Sequence, residues 1–245
     1  VARAIASKEL VSIAQVYIDK KDCELNAIEI LLEKLDLEGN LISIDAIATQ
    51  TSLAKTITAR GGDYLLPVKD NQLHSKQELE ELFCPHFAKH IAVNKQTELG
   101  HGRIETRRYE SILHPLELEA SSILSRWAGL ASVHKVSRIR EDKKTGKKSQ
   151  ETAYYISSST DLEAIHKTIR DHWAIENKLH YCLDVFLRQD DSRKRVRNVP
   201  QIMDLIQKVN LYLLQRIKQK KKSSISRMML NFGCMSPSQI IDLEF

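Results

Sequence analysis

Between residues 41 and 83 the chain alternates strand and helix in an order that few architectures accommodate. "LISID" is a short apolar run opened by the Gly39-Asn40 break, which marks a buried strand ending in Asp45. A helix is expected from about Thr51 to Arg60, stopping at Gly61-Gly62, where glycine can close it. "DYLLPV" is then a second strand, and Gln72 to Phe83 a second helix. Strand, helix, strand, helix predicts a parallel pair joined by a right-handed crossover, and so an α/β fold. Asp45 falls at the carboxyl end of the first strand, where open α/β sheets bind ligands. On position alone it reads equally as a helix-capping or turn aspartate.

The flanking segments fill in the sheet. Residues 1 to 6 (VARAIA) and 10 to 18 (LVSIAQVYI) have strand character, with a tight turn at Ser7 to Glu9. Asn26 to Leu37 is helical by its stripe of Ile28, Leu31, Leu32 and Leu35. From about Pro85 to Ser158 the character changes. "GRIETRRYESIL", "SVHKVSRIR" and "TAYYISS" favour strands, and "EDKKTGKK" reads as a hairpin tip, so this stretch is a β-rich insertion. Thr160-x-x-Glu163 is a capping-box signature opening the next helix. Pro200 begins a further amphipathic helix, and a helical tail follows "KQKKKSS". The expected organisation is 1–84 as the first part of a core, 85–158 as the insertion, 159–218 as its helical second part, and 219–245 as a basic linker and tail.

The helix after Thr160 poses a problem of burial. Steps of three and four from Leu162 reach Ile165, Ile169, Trp173, Glu176, His180 and Leu183. Glu176 therefore shares a face with apolar and aromatic residues that should turn inward. An ionised carboxylate there costs several kcal/mol unless something pairs with it. Arg170 or Lys178 would serve as an ordinary partner. A strand-end aspartate and a helical glutamate, far apart in sequence, are also what a ribonuclease H-like fold uses to hold divalent ions, and oxygen ligands suit Mg²⁺ or Mn²⁺. His172, Glu176 and His180, four residues apart, are compatible with zinc, although no H-E-x-x-H is present.

Composition narrows the class. At 245 residues, 42% hydrophobic and 28% charged, the chain can bury a real core. It contains no apolar run of about 18 residues and opens on no signal peptide, which argues against a membrane or secreted protein. Its four cysteines are far apart and form no C-x-x-C, the pattern of reduced cytoplasmic thiols rather than of a disulfide or zinc framework. Net charge is only +5, but cations cluster at Arg103, Arg107 and Arg108, at Lys143, Lys144, Lys147 and Lys148, at 193–197 and at 218–222. Such clusters suit a polyanion partner, though many are only solvated surface. Walker A, G-x-G-x-x-G and G-x-S-x-G motifs do not occur.

Three stretches, in order, carry a family resemblance: "SIDAIATQTSLAKTITARGGDYLLPVKDNQ", "GHGRIETRRY" and "IRDHWAIENKLHYCLDVFLRQDDSR". They resemble the DDE transposases of bacterial insertion sequences, in the subgroup marked by H-W-x-I-E-N-x-L-H, over residues 1 to about 215. The resemblance implies an α/β, ribonuclease H-like mixed sheet with flanking helices, interrupted by a β-rich insertion. It implies metal-dependent DNA cleavage and strand transfer with Mg²⁺ or Mn²⁺, Asp45 being the second catalytic acid and Glu176 the third, both as metal ligands. The partner would be double-stranded DNA, at transposon ends and target, with a homo-oligomer on DNA left open and a bacterial cytoplasmic location.

His101, Trp173, Asn177 and His180 belong to the matched motifs; Arg103, Arg107, Lys143 and Lys147 are candidates for binding phosphate. "DAIATQ" stands where the family has D-A-M-G-x-Q, and Asp70 where it has Gly. The family's first acid lies in a D-G-K-T motif on the first core strand. This chain begins after that motif, so the expected sheet lacks its first strand and the chain alone is expected not to cut DNA. Two alternatives remain: a non-catalytic DNA-binding remnant of a transposase, and a ribonuclease H-like nuclease of another role.

Overall fold

Among the described residues, six strands form one mixed sheet whose single parallel pair is the one that the strand–helix alternation demands. The computed structural model describes residues 2–6, 11–16, 24–84, 86, 90–100, 102–115, 122–174, 196 and 198–221. In chain order the elements are β1 (Ala2–Ala6), β2 (Val11–Val16), α1 (Glu24–Glu33), β3 (Leu41–Ser43), α2 (Thr51–Ala59), β4 (Asp63–Val68), α3 (Leu73–Leu82), β5 (Ala92–Gly100), β6 (Arg103–Leu113), β7 (Ser132–Asp142), β8 (Lys148–Ser157), α4 (Leu162–Ala174) and α5 (Val199–Lys221). β1 and β2 pair as a two-stranded sheet, and the larger sheet runs β3-β4-β8-β7-β6-β5. β3 and β4 are parallel, with Ile42 opposite Tyr64, and every other neighbour is antiparallel. The chain therefore has the α/β, ribonuclease H-like mixed architecture that its motifs imply. Two compact units are formed, residues 1–2 with 14–170 and residues 3–13 with 171–245.

In the first unit, strand alternation sends side chains to two cores. On one face Tyr64, Leu66, Ile112, Val133 and Ile156 pack with Leu32 of α1, Leu53 and Ile57 of α2, and Leu79 and Leu82 of α3. On the other face Leu65, Tyr109, Val136 and Tyr155 pack with Ile165 and Ile169 of α4. The apolar stripe that begins at Leu162 thus meets the sheet, as its spacing predicts. In the second unit, α5 buries Leu211 and Leu214, and its buried Asp204 is paired with Lys208 at 2.6 Å.

The β3–α2–β4 crossover owes its tightness to two glycines. α2 ends on Arg60; Gly61 follows at φ +74°, and the amides of Gly61 and Gly62 bond the carbonyls of Thr58 and Ile57 at 3.1 Å each. This is a Schellman ending, which needs a left-handed residue at its centre. Arg60 itself reaches back to α1, giving its guanidinium to the carbonyls of Leu32 and Leu35 at 2.5 and 2.7 Å. Those carbonyls stand at the end of the helix, past the regular ladder, and the amides of Lys34 and Leu35 already bond three residues back. Hence α1 stops at Glu33, short of the expected Leu37, which is buried in the turn instead.

One strand of the β-rich stretch has no sequence signature of its own, and one expected helix cap changes. Nothing in "AVNKQTELG" marks a strand, yet β5 pairs with β6 over its whole length. β5 is an edge strand exposed at most positions, so it needs no alternation of apolar residues. The helix α4 is capped by Asp161 rather than Thr160. Its Oδ1 accepts from the amides of Glu163 and Ala164, both at 3.0 Å, while Asp161 N donates to Ser159 Oγ at 3.2 Å.

Candidate functional site

The carboxyl ends of β3 and β4 lie side by side because the strands are parallel, and the loops that leave them are tied together. Asp45 follows β3 in extended backbone, caps the 3-10 turn Ala46–Ala48, and accepts from Ala46 N at 2.6 Å. Thr49, fully buried, donates its hydroxyl to the Pro67 carbonyl at 2.8 Å. From the loop after β4, Asn71 Nδ2 donates to the Ala46 carbonyl at 2.7 Å and Gln72 Nε2 to the Thr49 carbonyl at 3.0 Å. Arg126 in turn donates to Gln72 Oε1 at 2.8 Å. These bonds pin the backbone that follows Asp45 while leaving its side chain exposed.

Capping and ligation are compatible here. One carboxylate oxygen meets the Ala46 amide, and the other has no hydrogen-bond partner among the described residues. A carboxylate so held suits a hard cation, which takes oxygen ligands. No three His, Cys, Asp or Glu side chains gather among the described residues. Asp70, in the same loop pair, is engaged otherwise: Lys76 hydrogen-bonds it at 2.7 Å and holds its carboxyl below the usual range.

At one end of the sheet, two separate basic stretches meet. Arg103 opens β6 opposite Asp142 at the end of β7, and Lys143 N donates to the Gly102 carbonyl at 2.9 Å. Asp142 Oδ1 accepts from the amides of Lys144 and Thr145 at 2.9 and 2.8 Å, which lowers its pKa and shapes the tip. Arg103, Lys143, Lys144 and Lys147 are exposed there, as is Lys148, paired with Glu141 at 3.2 Å. Arg107 sits differently. It is largely covered and paired with Glu105 and, at 3.1 Å, with Glu98. Its charge is met within the sheet.

Trp173, on the last turn of α4, is half-buried, as is His172. Glu176, Asn177, His180 and His101 lie outside the described residues, and with them the zinc constellation of His172, Glu176 and His180. The bracing roles of Thr49, Asn71 and Gln72 escape a reading of the sequence, although all three stand in the stretch from Ser43 to Gln72 that carries the resemblance. Their side chains bond backbone, which leaves no periodic trace.

The fold is a mixed α/β sheet with an exposed acid at the carboxyl edge of its parallel pair. Residues 4–206 match the family model described as Transposase DDE domain. The chain belongs to the DDE transposase family. It is 36% identical over 223 residues to "Putative transposase YncI" of Escherichia coli O157:H7, covering 89% of this chain and 56% of that protein. It is 34% identical over 227 residues to "Putative protein YbfL" of Escherichia coli strain K12, covering 89% and 58%. It is 33% identical over 227 residues to "H repeat-associated putative transposase YhhI" of the same strain, again covering 89% and 58%. The chain thus spans little more than half the length of these relatives. None of the described helices is long and apolar enough to cross a membrane.

Proposed function

We propose that this chain forms part of a transposase that cuts DNA at insertion-sequence ends and joins it to a target, with Asp45 and Glu176 as carboxylate ligands of Mg²⁺ or Mn²⁺. The observation that carries this reading is the exposed Asp45 carboxylate on a backbone pinned by Asn71, Gln72 and Thr49. Divalent ions at such carboxylates activate a nucleophilic oxygen and stabilise a leaving one. Asp45 contributes orientation, because fixing the turn that follows it limits where its free oxygen can point. In the proposed reaction water first opens a phosphodiester, and the freed 3′-hydroxyl then attacks the target strand.

The exposed cations of the two hairpin tips support a DNA partner. Arg103, Lys143 and Lys147 would meet backbone phosphates, which position a duplex without reading its sequence. Arg107 would act behind them, holding β5 and β6 together through Glu98 and Glu105.

Mn²⁺ binding to the 245-residue chain, followed by the loss of the free-ion electron paramagnetic resonance signal, tests the assignment. Asp45→Asn and Glu176→Gln should each weaken it by about tenfold, since each removes one charged ligand. Full Mn²⁺ affinity in both variants would overturn it.

A further inference from the structure

Four buried side chains between the sheet and α4 form one line of hydrogen bonds, and its far end fixes the direction of every bond in it. Ser132 Oγ lies 2.6 Å from the carbonyl oxygen of Ser159. A carbonyl only accepts, so Ser132 donates its one proton there and must accept from His134 Nε2, 2.9 Å away. His134 therefore carries its proton on Nε2, and its Nδ1 accepts from Ser111 Oγ at 2.8 Å. With that proton committed, Ser111 accepts from His166 Nε2 at 3.3 Å. His166 is thereby held as the Nε2–H tautomer, stacked on Tyr109 at 4.4 Å, and its Nδ1 keeps a lone pair. Burial keeps both rings neutral, pushing His134 down to about 3 and His166 below its ordinary value.

His166 lines a groove of about 660 Å³ between β5 and α4. Asn94 and Gln96 face it from one side of β5, and Glu163, Lys167 and Arg170 from the same face of α4 as His166. We infer that this groove is a second binding site, taking one unstacked nucleotide of a DNA strand. The base edge meets His166 Nδ1 and the carboxamides of Asn94 and Gln96, and its phosphate meets Lys167 and Arg170. Carboxamides offer a donor beside an acceptor, which is what base edges pair with. The lone pair of His166 calls for a donor such as an exocyclic amine. A bare anion suits that end poorly, because Glu163 stands beside it; Lys167 lies one turn beyond Glu163 along α4 and Arg170 about two. Arg170 is held by Glu98 at 3.2 Å with both side chains half exposed, a pair weak enough to exchange for phosphate. A groove walled by a strand and a helix admits a base only after it leaves the stack.

This inference rests on the DNA reading above and shares with it only Glu98, which pairs with both Arg107 and Arg170. The test observes the His166 ring nitrogens by NMR in the 245-residue chain, assigned by their loss in His166→Gln. A single-stranded hexanucleotide and inorganic phosphate are added separately, and duplex binding is measured alongside. The hexanucleotide should shift the His166 signals and phosphate should not. Asn94→Ala combined with Gln96→Ala should weaken hexanucleotide binding by about tenfold, with an unchanged salt dependence for duplex. Signals unmoved by the hexanucleotide, an equal shift with phosphate, or wild-type affinity in the double variant would each overturn the site. Duplex binding with no His166 response removes this site alone, whereas no DNA binding of either kind removes both readings.

Discussion

The amide of Lys143 donates to the carbonyl of Gly102 across 2.9 Å, which stitches the tip of the β7–β8 hairpin to the tip of β5–β6. Cations that are distant in sequence, Arg103 on one tip and Lys143 to Lys148 on the other, become one patch. The Asp142 carboxylate spends its hydrogen bonds on the amides of Lys144 and Thr145, so it shapes the turn. A patch built on backbone hydrogen bonds keeps its geometry when its side chains are changed, which makes it open to test by charge removal.

Replacing Lys143, Lys144, Lys147 and Lys148 together by Ala should weaken duplex binding and flatten its salt dependence. Each phosphate that is no longer neutralised should reduce the slope of log affinity against log salt by about 0.9. Fluorescence anisotropy over a salt series reads this directly. An unchanged slope would take the hairpin tips out of the interface.

The neighbouring glycines 61 and 62 should respond differently to the same substitution. At Gly61 the backbone is left-handed, φ +74°, but an added Cβ would meet nothing nearer than Glu38 Cγ at 3.4 Å. Gly61→Ala should therefore cost about 1 kcal/mol, the penalty of that conformation alone. At Gly62 a Cβ would fall 2.7 Å from the Leu37 carbonyl oxygen and 3.1 Å from Ile42 Cδ1. Backbone must move there, and Gly62→Ala should cost about 2–3 kcal/mol. In urea unfolding, a loss at Gly62 no larger than that at Gly61 would mean that the close approach at Gly62 is not real.

How far the fold was legible depended on whether an element repeats a pattern. β4 was readable because a buried strand is apolar throughout, and β3, a half-buried edge strand, and α2 because Gly39-Asn40 and Gly61-Gly62 punctuate them. The inward face of α4 was readable from the spacing of Ile165 and Ile169. β5 was not, because its stability comes from a full ladder with β6 while Val93, Lys95 and Leu99 stay exposed. Neither was the line through Ser111, Ser132, His134 and His166, whose members come from two strands and a helix. Asp45 stood out by its place at a strand end and by resemblance. The residues that brace it did not, since a side chain bonding backbone across the sheet has no local signature.

The cap of α4 offers a direct comparison of two adjacent residues. Asp161 accepts from two amides of the first turn, so Asp161→Ala should cost about 1 kcal/mol. Thr160, exposed and outside that pair of bonds, should tolerate Ala with almost no change. Thermal or urea unfolding distinguishes them, and a larger loss at Thr160 would restore the capping box that the sequence pattern suggests.

The buried line also makes stability depend on pH in a definite direction. His134 has an ordinary pKa of 6.5 and is pushed down to about 3 by burial, with the facing His166 acting the same way. Above pH 6.5 the ring is neutral folded or unfolded, and its full contribution is present. Below that value the unfolded chain takes up a proton that the folded one refuses. Stability then falls with pH by about 1.4 kcal/mol per unit for each such histidine, over the interval toward about pH 3. His166, also lowered by burial, adds to the loss. His134→Leu should start less stable at about pH 7, because Ser111 and Ser132 lose a partner. Between about pH 6 and 4.5, however, its stability should fall less steeply than that of the parent, by about one proton's worth. Carboxylates titrate equally in both proteins, so urea unfolding across this range isolates the difference. A variant with the parent's slope would mean that His134 accepts a proton while folded. Ser111 could not then donate to its Nδ1, and the tautomer assigned to His166 would be lost with it.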